Sequence, residues 1–177
     1  MPENRKFRVM FLCTGNSCRS HIAEGFAREM GKGMPESFSA GIAPCHVHPL
    51  AIRVMHEKGI NISRHRSKAI DPDLLGSMDF VITLCSHADR YCPPVPPGVR
   101  RVHIPVNDPV GTIGSEEKIL LAFRKTRDEI EEKLRGMISD IEKVMMILSL
   151  KRGAQGSRGN DELSMINLQS SIKEYSL

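Results

Sequence analysis

Cys13 and Arg19 are separated by five residues in the stretch CTGNSCRS, Cys13 to Ser20, directly behind the apolar run FRVMFL. A loop that leaves a strand and enters a helix turns its backbone N–H groups inward, and the helix dipole adds a positive field, so the turn attracts anions. Arg19 offers a planar fork of donors suited to a tetrahedral oxyanion. Gly15 permits a positive φ and Asn16 tolerates one, which lets the chain curl. Thr14, Ser17, Cys18 and Ser20 complete the oxyanion loop. A cysteine at its base feels the same field, which favours the nucleophilic thiolate, and the Ser20 hydroxyl is placed to donate to the sulfur. The competing readings are a structural thiol at a strand end and a zinc half-site of Cys13 with Cys18. Their spacing lacks the C-x₂-C rhythm and no second pair answers it. Cys18, inside the loop, reads as a packing residue.

Two further thiols, Cys85 and Cys92, lie in LCSHADRYCP. A short helix between them would place both near one face, and a disulfide would then require the segment to unwind. Two ordinary buried thiols are the alternative. Asp108, in PVNDPVG, is restrained by Pro109 and could protonate a departing oxygen. Read alone, it starts an Asp-Pro turn.

The elements that must position these groups alternate. Apolar runs at Phe7 to Leu12, Ser37 to Ala40, Asp79 to Leu84 and Arg101 to Pro105 read as strands. Between them, Ile22, Phe26 and Met30 recur at helical spacing. Ala51, Val54 and Met55 mark a second helix entered by Pro49 and closed by Gly59. Asp71-Pro72 opens a short third one near Leu74 and Leu75. Strands alternating with helices predict an α/β fold with a parallel sheet covered on both faces. Cys13, Cys85 and Asp108 each follow a strand, so all three are expected at the carboxyl edge, where such sheets bind ligands. From Ser115 onward Ile119, Phe123, Ile130, Leu134, Ile138, Ile141, Met145 and Leu148 keep helical spacing, either as one helix or broken near Gly136. Lys151 to Asn160 reads as a flexible linker, followed by a tail with an apolar stripe of Met165, Leu168 and Ile172.

The totals set bounds. The chain has 177 residues, 40% hydrophobic and 26% charged, with a formal net charge of +4, which suits one soluble domain with an appendage. The mild positive charge fits an anionic ligand, and no Lys- or Arg-rich block marks a nucleic-acid binder. No apolar stretch reaches membrane-spanning length, and none at the N-terminus reads as a secretory signal. Five cysteines, an odd number, argue against a static disulfide framework and for reactive thiols in the cytoplasm. Cys45 with His46 and His48, flanked by prolines, reads as a loop at the site rim or as metal ligands. His65 could hydrogen-bond near the second thiol pair or be a surface histidine; His21 and His87 gain no role from position.

Taken together, CTGNSCRS, AEGFA, SAGI, VITLCSHAD, CPPVPP and the Asp108-Pro109 pair resemble the thioredoxin-coupled arsenate reductases of the low-molecular-weight protein tyrosine phosphatase superfamily. The resemblance covers roughly Phe7 to Leu134. It implies a four-stranded parallel sheet of order 2-1-3-4 and a reductase domain, placed over residues 1–136; the segment after Leu134 has no counterpart in the family pattern, and its helical spacing and composition predict a helical continuation over 137–150 and a linker and tail over 151–177. It also implies a mechanism: Cys13 attacks arsenate held by the loop and Arg19, Asp108 protonates the departing oxygen, and Cys85 attacks Cys13. Arsenite then leaves, and Cys92 resolves the Cys13–Cys85 disulfide to give a Cys85–Cys92 disulfide that thioredoxin reduces. Glutaredoxin serves related reductases. No cofactor or resident metal is expected. Some relatives bind potassium through residues matching Asn16, Glu24 and Ser39, with an aspartate where this chain has Lys68, and the lysine argues against that site. The runner-up is a tyrosine phosphatase using Cys13, Arg19 and Asp108 alone. Those enzymes commonly place tyrosine after Asp-Pro, where Val110 stands here. A thiol redox sensor is the non-enzymatic alternative.

Overall fold

The computed structural model describes residues 7–31 and 35–153, with side chains described as far as Asp140. Four strands, β1 (Arg8–Cys13), β2 (Glu36–Gly41), β3 (Phe80–Thr83) and β4 (Arg100–His103), form one all-parallel sheet in the order β2-β1-β3-β4. The expected order 2-1-3-4 is thus observed. The fourth strand stops before Ile104 and Pro105; Pro105 has no N–H to extend a ladder.

Alternation along β1 divides the interior into two cores. Val9 and Phe11 face one side with Ile22, Phe26, Met55, Phe80, Ile82 and Phe123. Met10 and Leu12 face the other with Leu75, Met78, Val81, Ala88 and Cys92. Side chains of a strand point alternately to opposite faces, so a strand buried on both faces reads as a continuous apolar run.

The first core is covered by α1 (Arg19–Met30), α2 (Pro49–His56) and α5 (Glu116–Gly153); the second is closed by α3 (Pro72–Gly76) and α4 (Ser86–Tyr91). Each helix start has a local cause. Pro49 and Pro72 open α2 and α3, where a missing N–H costs nothing. His48 Nδ1 accepts from Leu50 N at 3.1 Å, and Asp71 Oδ1 accepts from Asp73 N at 2.9 Å. In α1, Gly25 allows α2 and the Ile60–Ile62 turn to approach; a Cβ there would meet Ile62 and Met55 at 3.0 Å.

Helix α5 runs through Gly136 without a break. Phe123, Ile130, Leu134 and Ile138 are buried along it, and these flanking contacts outweigh the cost of about 1 kcal/mol for a mid-helix glycine. The side chains of Ile141, Met145 and Leu148 lie outside the described residues. Helix α5 also takes in Lys151 to Gly153, the start of the expected linker, and residues 154–177 lie outside the described residues. No helix among the described residues is long and apolar enough to cross a membrane.

Candidate active site

Strand β1 ends at Cys13 and α1 begins at Arg19, so the intervening loop sits at the carboxyl edge of the sheet. Its carbonyls are tied outward one after another. Cys13 O accepts from Ile42 N, Thr14 O from Ala43 N, Gly15 O from Cys45 N and Ser17 O from His48 N, at 2.8 to 3.3 Å. Asn16 O accepts from Ser67 Oγ at 2.5 Å. A trans peptide directs its N–H opposite to its C=O, so these bonds turn the N–H groups of the following residues toward the concave side. Cys18 at the head of α1 makes no side-chain cap bond. An uncapped helix start offers its first amides to an anion, while His21 N already donates to Cys18 O at 3.1 Å.

Asn16 takes the positive φ, 42°, and Gly15 does not. The sequence reading assigned that freedom to either residue. Asn16 is also fully buried, and its side chain points away from the anion side to fix the loop: Nδ2 donates to Ser20 Oγ at 2.8 Å and Oδ1 accepts from Lys68 N at 2.7 Å. With Asn16 supplying one proton to Ser20 Oγ, the serine's own proton is free for Cys13 Sγ, 3.0 Å away. Cys18 faces the apolar core, and burial first, then Cys13, pushes its thiol up. It is an inert packing residue, as its place in the loop suggested.

Sequence reasoning missed Gly41, the last residue of β2 and the glycine of SAGI. A Cβ there would lie 2.6 Å from Asn16 N and 2.8 Å from Thr14 O. The loop can pass only over a bare backbone at this position. The place of that glycine directly after a strand, opposite a second glycine-bearing loop, was the available signal.

Arg19 and Asp108 meet at the mouth. Arg19 Nη2 donates to Asp108 Oδ2 at 2.6 Å, and Nη1 donates to Val106 O at 3.2 Å. Arg19 is buried while the Asp108 side chain is half exposed. Asp108 Oδ1 also accepts from Val110 N at 3.1 Å, so the turn-starting role of Asp-Pro and a position at the site coexist.

The second thiol pair brackets α4. Thr14 Oγ1 lies 3.4 Å from Cys85 Sγ and 3.4 Å from His87 Nδ1, which brings Cys85 to within one side chain of the loop. Cys85 caps α4, its sulfur accepting from Ala88 N at 3.4 Å. Cys92 closes the helix at its other end, buried in the second core with its Sγ against Pro93 O. Burial raises the Cys92 thiol, Arg101 opposes that rise and Asp89 adds to it. At 1.5 Å per residue the two cysteines are roughly 10 Å apart along the axis, beyond the roughly 7 Å limit for bridging Cα atoms. All five cysteines are free.

Cys45 is exposed on the segment that straps the loop, and His48 is engaged as the α2 cap and packs on Phe123 at 4.6 Å between ring centroids. This is the rim arrangement. His65 lies away from α4: its Nδ1 is 3.2 Å from that of His21 and 3.7 Å from Glu24 Oε2. Burial, His65 and Lys68 push His21 down to about 4, opposed by the Asn16 carbonyl. Burial lowers His65 as well, with Glu24 opposing. The potassium site implied by the resemblance does not fit. Asn16 Oδ1 is taken by Lys68 N, Glu24 Oε1 by Arg28 at 2.7 Å, and two imidazole nitrogens crowd what would have to be an oxygen cage.

The strand order, the loop behind β1 and the Arg19–Asp108 pair meet at one sheet edge. The chain belongs to the low molecular weight phosphotyrosine protein phosphatase family, whose profile matches residues 8–146. Within it, the chain is similar to an arsenate reductase of Bacillus licheniformis, 45% identical over 130 residues that span 73% of this chain and 94% of the relative. Its fold is similar to that of an arsenate reductase in the phosphate binding state, with a TM-score of 0.59 and 33% identity over 76% of this chain and 98% of the other. It is also similar to a Corynebacterium glutamicum thioredoxin-dependent arsenate reductase, with a TM-score of 0.60 and 27% identity over 77% of this chain and 64% of the other.

Proposed function

We propose that this protein reduces arsenate to arsenite through a relay of Cys13, Cys85 and Cys92 that thioredoxin regenerates. The observation that carries the reading is the contact of Thr14 with Cys85: a second thiol stands at the edge of the anion loop, where a phosphatase needs none. The Cys13 thiolate attacks arsenic while the loop amides and Arg19 hold the oxyanion. Asp108 gives its proton to the oxygen that leaves. Cys85 then attacks the Cys13 sulfur, the S–As electron pair departs on arsenic, and As(V) becomes As(III) as a Cys13–Cys85 disulfide forms. Cys92 attacks Cys85 next, releasing Cys13 as a thiolate. This step requires α4 to unwind, which exposes the new Cys85–Cys92 disulfide to an external dithiol. Residues 1–136 carry this chemistry in our reading. Its dependence on reduced thiols places the protein in the cytoplasm, and neither nucleic acid nor membrane enters it.

The family membership also favours slow hydrolysis of small phosphate esters, for which Cys13, Arg19 and Asp108 suffice. Val110, half exposed after Asp108-Pro109, provides no aromatic wall for a tyrosine ring. The test is NADPH oxidation with catalytic amounts of the protein, arsenate, thioredoxin and thioredoxin reductase, beside Cys92→Ser. Sustained turnover in the wild type and loss in the variant are expected. Phenyl phosphate hydrolysis without arsenate turnover would replace this reading with a phosphatase, and a single stoichiometric oxidation would replace it with a sensor. Replacing thioredoxin by glutaredoxin and glutathione identifies the reductant.

A further inference from the structure

We propose that His21, Glu24 and His65 form a binding site for a divalent transition-metal ion, zinc by its chemistry, behind the anion loop. The three donor atoms come from two parts of the chain, α1 and the segment that precedes Ala69. His21 Nδ1 is 3.2 Å from His65 Nδ1 and 3.9 Å from Glu24 Oε2, and His65 Nδ1 is 3.7 Å from the same oxygen. A circle through the three atoms has a radius of about 2.1 Å, the usual length of a zinc bond to imidazole nitrogen or carboxylate oxygen. A single ion therefore reaches all three with little movement.

The surroundings suit ligation. Arg28 holds Glu24 Oε1 at 2.7 Å, and Ser39 Oγ donates to Oε2 at 2.6 Å, so the carboxylate is oriented from both sides. Ser39 spends its one proton on Glu24 and can only accept from His21 Nδ1, 3.2 Å away. One proton on His21 is then left to serve both Ser39 and His65, in an acceptor-rich cluster. His21 Nε2 is buried without a hydrogen-bond partner. Neutral imidazoles are the ligating form. Two nitrogens with one oxygen favour zinc or its neighbours over potassium, calcium or magnesium. A cleft of about 270 Å³, lined by Glu24, Arg28, Ser37 and Lys68, borders the carboxylate. The bound ion would fasten α1 to the segment carrying Ser67 and Lys68, both of which bond Asn16.

The test is titration of the reduced, full-length protein with Co²⁺ under anaerobic conditions, followed by visible absorption and by thermal melting. Expected are the d–d bands of a four- or five-coordinate nitrogen and oxygen site, without a thiolate-to-cobalt charge-transfer band, and a metal-dependent rise in Tm. His65→Asn and His21→Gln should each weaken binding by at least about 100-fold. The partly exposed His65 keeps the test valid if His21→Gln does not fold. Absence of binding, a spectrum dominated by thiolate ligation, or unchanged affinity in His65→Asn would overturn the proposal. Arsenate turnover plays no part in the readout, so the outcome is independent of the function proposed above.

Discussion

The guanidinium of Arg19 and the carboxylate of Asp108 lie 2.6 Å apart across the mouth of the loop. The pair holds Arg19 in place before any oxyanion arrives, and an incoming anion must share the arginine with Asp108. Asp108→Asn keeps a hydrogen-bond acceptor toward Arg19 but removes both the competing charge and the transferable proton. Arsenate turnover is expected to fall by about 10² to 10³-fold. Inorganic phosphate, followed by calorimetry, should bind as tightly as to the wild type or more tightly. A parallel loss of phosphate affinity would show that Asp108 serves only to position Arg19.

Ser20 bridges Asn16 and Cys13, at 2.8 and 3.0 Å. A hydrogen bond to a charged group contributes about 1.5 to 3 kcal/mol, and Ser20→Ala deletes the one drawn to sulfur. The rate of Cys13 alkylation by iodoacetamide should drop at least about tenfold at neutral pH. An unchanged rate would mean that the loop amides and Arg19 activate the sulfur unaided.

Gly41→Ala places a methyl group 2.6 Å from Asn16 N and 2.8 Å from Thr14 O. Both obstacles are backbone, so the loop has to move as a unit. Overpacking of this kind costs about 1 to 3 kcal/mol, and the displacement falls on the amides that bind the anion. Phosphate affinity is expected to fall well over tenfold, together with a lower Tm. A variant that melts like the wild type and binds phosphate normally would show that the loop yields easily.

The architecture was legible in the sequence because each strand buried on both faces leaves an unbroken apolar run, and β1 and β3 are such runs. Cys13, Cys85 and Asp108 could be expected together because each ends or follows a strand, and a parallel sheet gathers strand ends at one edge; Arg19 opens α1 at the far end of the loop behind Cys13. Gly41 carried one signal, its place at the end of the second apolar run, but its role rests on a close approach to the backbone of Thr14 and Asn16 that no local pattern records. His21 and His65 were invisible as a pair since 44 residues separate them and each, read alone, matches an ordinary histidine. Asn16 rather than Gly15 takes the positive φ, and the strap of residues 42–48 fixes the loop's curvature from outside through its N–H groups.

Glu57 joins the end of α2 to α5. Arg124 donates to it at 2.7 and 2.9 Å and Arg127 at 2.9 Å, and these bonds, Arg124 foremost, hold its carboxyl down at about 2. A folded-state value below the unfolded one means that the contribution is fully present above the ordinary carboxylate range. It is lost as pH falls from there toward 2. Thermal melting of Glu57→Gln should therefore show a lower Tm than the wild type at neutral pH and a shallower decline through that acid window. Parallel curves for the two proteins would assign the acid sensitivity to other carboxylates.

Asp89 anchors α4 to the sheet. Its Oδ1 accepts from Thr83 Oγ1 at 2.8 Å and from Arg101 Nη2 at 2.8 Å, and Arg101 also bonds the Asp89 carbonyl. The same carboxylate raises the Cys92 thiol. Asp89→Ala therefore acts twice in one direction: it loosens the helix that the proposed relay unwinds and lets Arg101 act on Cys92 with less opposition. Transfer of the disulfide from Cys13–Cys85 to Cys85–Cys92, followed by quenched mass spectrometry after one equivalent of arsenate, should accelerate by roughly threefold to tenfold. The Tm should fall, consistent with a loss of about 1 kcal/mol. A slower transfer would mean that α4 must stay folded to present Cys92, and would overturn the unwinding step of the proposed relay.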